Sequence, residues 1–264
     1  MPRPQHEGVR PQNTPRLLHF VAILFLALTA LSAQAAERQV QTPSGDEIPV
    51  RVYPAAGERL LLWLPTEFGS SPRRQALAAR LAASGIEVWI PDLHAAWFLP
   101  VGRYSLNEVD PAAIAALLDA ALAEDRQVYL MAAGRSVALA LNGVRHWQTE
   151  TNETDRLRGL LAFNPRLFVS TPQGGESADY LPVAGASNLP IYLLQPENSG
   201  GFWYAGRNVR ELEEGGSPVF LHTLRDVSDG FYGRPDYTEA EAAMTERLPA
   251  ILEQAMRRLD ALGG

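Results

Sequence analysis

The chain has 264 residues, a length typical of one α/β domain that carries a targeting segment. Its 23 basic residues are all arginine, and its 30 acidic residues bring the formal net charge to −7, which argues against binding to nucleic acid. With 46% apolar and 20% charged residues, the composition excludes a disordered tail and a bundle of membrane spans, and the lack of cysteine excludes disulfides and a thiol nucleophile.

Residues 1–35 have the three parts of a secretory signal. A start with three arginines precedes an apolar run from Leu17 to Leu31, and a small-x-small motif ends at Ala35. We predict cleavage after Ala35, which leaves residues 36–264 as a single domain in the periplasm or outside the cell. The apolar run is shorter than a bilayer span needs, so no permanent membrane span is expected. An uncleaved N-terminal anchor is the alternative.

The first half of the domain alternates strands with helices. A hairpin is predicted over Gln39–Tyr53, and the apolar run Leu60–Leu64 predicts a strand that is buried on both faces. The next helix begins at Pro72, with Ser70 or Ser71 as its cap. Further along the chain, the predicted elements are a strand at Ile86–Ile90, an irregular stretch to about Asn107, a helix at Ala112–Ala123 and a strand at Val128–Met131.

The second half continues the alternation. An Ala/Leu-rich helix follows Ser136, and the polar segment Thr149–Thr154 predicts a loop. Arg166–Asn188 has little periodicity and predicts an excursion over the surface. A final amphipathic helix is predicted over Thr238–Leu262, interrupted at Pro249. The remaining predicted elements are strands at Leu157–Phe163, Ile191–Leu194 and Val219–Leu224 and a short helix near Asn208–Glu214.

Strands that alternate with helices predict an α/β fold, with a mostly parallel sheet flanked by helices on both faces. The order of elements and the placement of small residues resemble the α/β-hydrolase superfamily. The segments that carry the resemblance are Thr66–Gly69 as the oxyanion loop, Ala132–Ser136 as the nucleophile elbow, Pro196–Asn198 as the acid loop and Asp226–Tyr232 as the histidine loop. The resemblance implies a Ser–His–acid triad in a crevice at the carboxyl ends of the strands.

The nucleophile elbow is compatible with two registers. An elbow needs small residues two places before and two places after its tip, because strand and helix otherwise collide. If the strand ends at Met131, the tip is Gly134, which has no nucleophile. If the strand runs to Ala133, a G-x-S-x-A elbow places Ser136 at the tip. The short apolar strand favours the Gly134 register, in which Ser136 is a first-turn helix residue bonded to the backbone.

A serine nucleophile needs an imidazole beside it to take its proton. His222 follows the elbow at a plausible distance but lies inside a predicted strand, whereas His94 precedes the elbow, outside the usual order. The histidine position of the resemblance is occupied by Asp229, and an aspartate cannot take that proton near pH 7 unless its pKa is strongly raised. Glu197 stands at the acid position and is the candidate to orient an imidazole.

The same loops predict a ligand pocket, whether or not chemistry takes place there. Charged and aromatic side chains meet in it, a composition that is usual for small-molecule sites and also for a buried loop core. Arg135, at the start of a helix, is expected to contact an anionic ligand or to form a salt bridge with Asp229 or Glu197. The candidate pocket residues are Glu67, Phe68, His94, Arg135, Trp203 and Tyr232.

No cofactor and no metal are expected. The glycine motifs that bind phosphates are missing from the sequence, and a chain without lysine cannot form a lysine Schiff base. Asp92, His94, Glu197 and Asp229 offer ligand atoms but lack the close spacing of a zinc motif.

Three functions remain open. The first is an exported protein of α/β-hydrolase fold whose hydrolase site is lapsed or altered, and which binds a small-molecule ligand or a periplasmic protein partner through the former active-site crevice. The second is a serine hydrolase for ester or acyl bonds, in which Ser136 attacks. His222 or His94 acts as its base, and Glu197 or Asp229 orients that base. The third is a structural accessory protein of a periplasmic system, with residues 94–107 and 166–188 as its interface.

Overall fold

The computed structural model describes residues 1, 35–153, 155–170 and 178–262, and its centre is a sheet of eight strands. The strands are β1 (Ala36–Gln41), β2 (Glu47–Tyr53), β3 (Arg59–Trp63), β4 (Ile86–Pro91), β5 (Gln127–Ala133), β6 (Leu157–Phe163), β7 (Ile191–Pro196) and β8 (Val219–Leu224). They lie in the order β1-β2-β4-β3-β5-β6-β7-β8. β2 runs antiparallel to its neighbours β1 and β4, and every other described pair is parallel. The predicted fold class is confirmed.

Helices cover both faces of the sheet, as strands alternating with helices require. The described α-helices are α1 (Pro72–Ala83), α2 (Leu93–Ala96), α3 (Pro111–Leu122), α4 (Ser136–Thr151), α5 (Ala205–Glu214) and α6 (Glu239–Leu262). Buried apolar side chains of α3 and α4 pack on one face of the sheet, and those of α1 and α6 pack on the other. The sheet therefore separates two hydrophobic cores.

The central strand β3 contributes alternately to the two cores. Leu60 and Leu62 are buried on the α3–α4 side, and Leu61 and Trp63 are buried on the α1–α6 side. Because both faces are covered, the strand is continuously apolar, as the sequence predicts. β3 pairs with β5, so the loops that follow these two strands emerge side by side at one edge of the sheet.

The helix α1 begins where the sequence places it. Ser71, rather than Ser70, is the cap, and its hydroxyl accepts a hydrogen bond from the Arg74 amide at 3.3 Å. Pro72 takes the first helical position, where a missing amide proton has no cost. This start fixes Arg74 in the first turn, beside the loop that follows β3.

Several predicted boundaries and one predicted irregular stretch differ from the structure: β1 begins earlier, at Ala36, and β7 ends later, at Pro196. β5 continues to Ala133, α4 continues to Thr151, and α5 begins at Ala205. The stretch after Pro91 contains α2 and a 3-10 turn at Ser105–Glu108. Turn-like composition marks the change of chain direction there but does not exclude single helical turns within it.

The predicted interruption at Pro249 was wrong, because α6 runs through this residue. Leu248 and Leu252 on either side of the proline are fully buried in the α1–α6 core. Packing of this apolar face outweighs the hydrogen bond that proline removes from a helix.

The predicted surface excursion at Arg166–Asn188 was wrong in part. Leu167 and Ala184 are fully buried, and Phe168 forms an isolated β-bridge with Tyr180. Residues 171–177 lie outside the described residues. A segment without periodicity can still bury single side chains, because each makes its own contact with the core.

The predicted signal lies almost entirely outside the described residues, which resume at Ala35. Within the described ranges, no helix is both long enough and apolar enough to cross a bilayer. The longest of them, α6 with 24 residues, carries acidic and basic side chains along its length.

Candidate functional site

The chain bends sharply between β5 and α4, and Gly134 lies at the tip of the bend. Its φ is +60°, a left-handed conformation that costs a residue with a side chain about 1–2 kcal/mol. The Gly134 amide donates to the Phe163 carbonyl at 2.9 Å, and the Gly134 carbonyl accepts from the Arg166 amide at 3.0 Å. β5 runs to Ala133, so the expected strand end at Met131 was wrong, but the positive φ and these bonds still place Gly134 at the tip, in the register that has no nucleophile.

Ser136, the alternative nucleophile, is the first residue of α4 and is buried. Its hydroxyl donates to the Pro65 carbonyl at 2.6 Å. This hydrogen bond joins the start of α4 to the backbone just beyond β3, and it uses the hydroxyl proton of Ser136. The structure places Ser136 beneath the elbow rather than at its tip.

The loop that follows β3 faces the tip of the elbow. One carboxylate oxygen of Glu67, Oε2, lies 3.9 Å from the position that a Cβ on Gly134 would take, and Glu67 is only 8% exposed. The described hydrogen bonds of Glu67 use its backbone carbonyl, which accepts from the Gly102 amide at 3.0 Å and the Ser105 hydroxyl at 3.2 Å. The carboxylate has no hydrogen-bond or ion-pair partner among the described residues.

The loop that follows β8 forms the opposite wall. Asp229, at the expected histidine position, pairs with Arg166 at 3.4 Å, and both side chains are well exposed. An exposed pair of this kind contributes only about 0–1 kcal/mol. The ring of the buried Tyr232 lies 5.1 Å from the Phe163 ring and 6.0 Å from the Trp63 ring, so the wall rests on the α1–α6 core.

Glu241 on α6 anchors this wall. Its buried carboxylate accepts from the Ser228 amide at 3.0 Å, from the Thr238 amide at 2.9 Å and from the Arg234 guanidinium at 2.9 Å. Burial alone raises the pKa of Glu241, but the amide donors and the Arg234 charge outweigh it, so the pKa is lowered overall. The ionised carboxylate thus holds the loop against the helix.

A crevice of about 380 Å³ lies between the two walls, with Gly134 in its lining. This volume is within the range of small-molecule sites. Its charged lining residues are Arg74, Arg103, Arg166, Arg234, Glu67 and Asp229. The arginines outnumber the carboxylates, and no histidine lines the crevice among the residues that the structure describes. In the same part of the chain, no three His, Asp or Glu side chains converge to hold a metal ion.

His222 lies within β8, paired with Leu194 of β7. Its Nδ1 is 2.8 Å from the Tyr192 hydroxyl. Burial, together with the charge of Arg247, lowers the pKa of His222. β8 is three strands from β5, about 14 Å at the usual spacing, which places His222 outside the crevice and away from Ser136.

His94 lies in α2 and is buried. Its Nε2 is 3.1 Å from the Ser105 hydroxyl, and its Nδ1 has no described partner. His94 lines a separate, smaller cavity of about 190 Å³ next to β2, β4 and α1. The structure therefore does pair a histidine with a serine, but the serine is Ser105, which the sequence did not single out.

Comparisons with sequence-family models and with curated proteins give no match. Solved structures are similar: an esterase of Pyrobaculum calidifontis, at 14% identity, covers 94% of this chain and 95% of its own, with a TM-score of 0.63. The carboxylesterase EstE1, cloned from a metagenomic library, covers 92% and 98% at 15% identity and a TM-score of 0.62. Carboxyl esterase 2 of Tuber melanosporum covers 86% and 87% at 11% identity and a TM-score of 0.60. The chain has the α/β-hydrolase fold.

In the α/β-hydrolase fold, the tip of the bend between strand and helix is the place of the nucleophile. In this chain Gly134, which has no side chain, lies at the tip of that bend. Glu197, at the acid position after β7, accepts from the Asp226 amide at 3.2 Å. Asp226 has a φ of +59°, so Glu197 stabilises a backbone turn where the acid of an α/β-hydrolase orients a histidine.

The remaining pocket candidates divide between the crevice and the surface. The predicted salt bridge of Arg135 with Asp229 or Glu197 was wrong, because the guanidinium lies over the Tyr104 ring, 5.0 Å from its centroid. Phe68 lines the crevice and is largely exposed. Trp203 is also largely exposed, in a 3-10 turn before α5, and it does not line the crevice.

The sequence analysis missed all four of the crevice arginines. They come from separate loops and helix starts, so no spacing in the sequence connects them. A signal did exist, because each follows the carboxyl end of a strand, where an α/β sheet collects its ligand-binding groups. These residues are Arg74 after β3, Arg103 after β4, Arg166 after β6 and Arg234 after β8.

Gly134→Ser is expected to add a hydroxyl at the tip without creating turnover, because no described imidazole lines the crevice to take its proton. Aryl acetate hydrolysis by this variant should equal that of Gly134→Ala, which has the same backbone strain but no hydroxyl. Both should lose about 1–2 kcal/mol of unfolding free energy. Faster hydrolysis by the serine variant than by the alanine variant would reveal an unrecognised base.

Glu241→Gln is expected to lower the free energy of unfolding by about 1–3 kcal/mol at neutral pH, because its donors lose a charged acceptor. Since folding lowers the pKa of Glu241, its contribution is present above the unfolded value of about 4.3 and is lost as pH falls through the folded value. In urea unfolding, the gap to the wild type should shrink on acidification.

The matched control is Glu253→Gln, which removes a partly exposed carboxylate from the same helix. It should change the free energy of unfolding by less than about 0.5 kcal/mol. A gap between wild type and Glu241→Gln that is constant from neutral to acidic pH would contradict the role given to the ionised carboxylate.

Proposed function

We propose that the protein binds a small molecule with an anionic group in the crevice and does not hydrolyse it. The observation that carries the proposal is Gly134, which presents backbone at the place where this fold positions a nucleophile. A crevice at the carboxyl ends of parallel strands supports ligand binding with or without a nucleophile.

The charges of the crevice favour an anion. Arg103 has no hydrogen-bond or ion-pair partner among the described residues, and the ion pair of Arg166 with Asp229 is exposed and weak. The planar guanidinium forms paired hydrogen bonds with the oxygens of a carboxylate or a phosphate. Although the whole chain is acidic, this crevice concentrates positive charge and therefore attracts anions locally.

The proposal includes a location outside the cytoplasm, in the periplasm or beyond it. The basic start, the apolar run and the small-x-small motif that ends at Ala35 support it. A domain without cysteine is suited to an oxidising compartment, because it has no thiol to mispair. The ligand is then a solute of that compartment.

A second candidate function is the hydrolysis of a substrate by a serine nucleophile, which the contact between His94 and Ser105 favours. Their 3.1 Å separation is that of a nucleophile and its base. Two features weigh against catalysis there. The Ser105 hydroxyl also donates to the Gly102 carbonyl at 2.8 Å, and Nδ1 of His94 is buried without the carboxylate that orients a catalytic histidine. The crevice is therefore the stronger site.

Binding of butyrate at low ionic strength tests the proposed function. Arg103→Gln should weaken it about tenfold, or about 1.4 kcal/mol, because one charge-assisted contact is lost. Arg145→Gln is the matched control, since it removes an exposed arginine of α4 that does not line the crevice. Calorimetric or NMR titration measures both. Absence of binding, or equal weakening by the two variants, would overturn the proposal.

A further inference from the structure

The carboxylate of Glu67 is the most unusual group in the crevice. The residue is more than nine-tenths buried, yet no described side chain or backbone amide bonds its oxygens. Other buried carboxylates of the described chain do have partners: Glu241 accepts bonds from amides and Arg234, and Glu87 accepts from the Trp89 ring nitrogen and pairs with Arg126. Glu67 thus differs from them in having its acceptors unused.

The oxygens of Glu67 are not fully enclosed, so they can be reached from the crevice, but a largely buried carboxylate loses part of its hydration and this one gains no described hydrogen bond in return, which is unfavourable. The start of α4, a helix of 16 residues, offsets part of this cost through its dipole. The two oxygens still offer lone pairs that only a hydrogen-bond donor can use. The complementary group on a ligand is a donor, and a cationic amine is the strongest match.

Glu67 also borders two cavities. Besides the crevice, it lines a neighbouring cavity of about 450 Å³, and Arg103 and Arg166 line both spaces as well. The walls of the second cavity include apolar side chains, namely Leu106, Val109, Ala138, Leu139, Phe168 and Leu181. An acceptor and two cationic donors therefore line both spaces, and an apolar wall lines the second.

We infer that the ligand is a small amino carboxylic acid, with its ammonium group on Glu67, its carboxylate on Arg103 and Arg166, and its hydrocarbon part against the apolar wall. This inference rests on the proposed binding function and specifies the ligand class. A ligand with both charges suits a site with both charges better than a simple anion does, because Glu67 repels a simple anion and attracts an amine.

Matched probes test the inference. Titrations at low ionic strength compare butyrate, butylammonium, 4-aminobutyrate and 6-aminohexanoate, which share a hydrocarbon body and differ in charge and length. At least one of the two amino acids should bind the wild type about tenfold or more tightly than butyrate or butylammonium does. In Glu67→Gln, which keeps the shape of the side chain, this preference should fall about tenfold, whereas butyrate should bind as well or better.

Glu108→Gln is the control, because it removes a nearby exposed carboxylate that lines neither cavity. It should keep the preference for the amino acids. Circular dichroism and thermal unfolding establish that both variants are folded, and the comparison of probes on the wild type needs no variant.

The outcomes separate the two proposals. If butyrate binds with dependence on Arg103 but the amino group adds no affinity, the inference is overturned and the binding function stands. The inference is also overturned if Glu67→Gln strengthens every probe alike, because Glu67 is then only a repulsive charge. If no probe binds, both proposals are overturned.

Discussion

The left-handed bend at Gly134 is the constraint on which the site depends. It lets β5 turn directly into α4, so the helix starts at the carboxyl edge of the sheet and packs back along it. Bonds from Gly134 to Phe163 and Arg166, and from Ser136 to Pro65, join the bend to the strands on both sides. A side chain at the tip strains the backbone, and its absence leaves the end of the crevice lined by peptide groups.

The residues expected at the acid and histidine positions make structural contacts here. Glu197 stabilises the turn at Asp226, and Asp229 pairs with Arg166 across the crevice. The loop that carries Asp229 is held by Glu241 on α6. Among the residues that the structure describes, the charged groups that line the crevice are four arginines, Asp229 and Glu67, and the Glu67 carboxylate has no described partner.

Much of the fold could be predicted from the sequence, because runs such as Leu60–Leu64 and small residues such as those around Gly134 carry local signals. The crevice could not, because its arginines are assembled by strand order, which the sequence does not state. Pro249 shows the same limit in a helix: its local preference is overridden by packing that only the tertiary structure reveals. The unpaired state of Glu67 likewise depends on what surrounds it in space.

The central claim, that this α/β-hydrolase fold presents no working serine nucleophile, is tested most directly by labelling the folded protein with a fluorophosphonate probe. The wild type, Ser136→Ala and Ser105→Ala are compared by intact mass. Because Gly134 has no side chain at the tip of the bend, we expect no adduct on any of the three proteins. An adduct on the wild type that disappears in one of the alanine variants would contradict it and would identify the reactive serine.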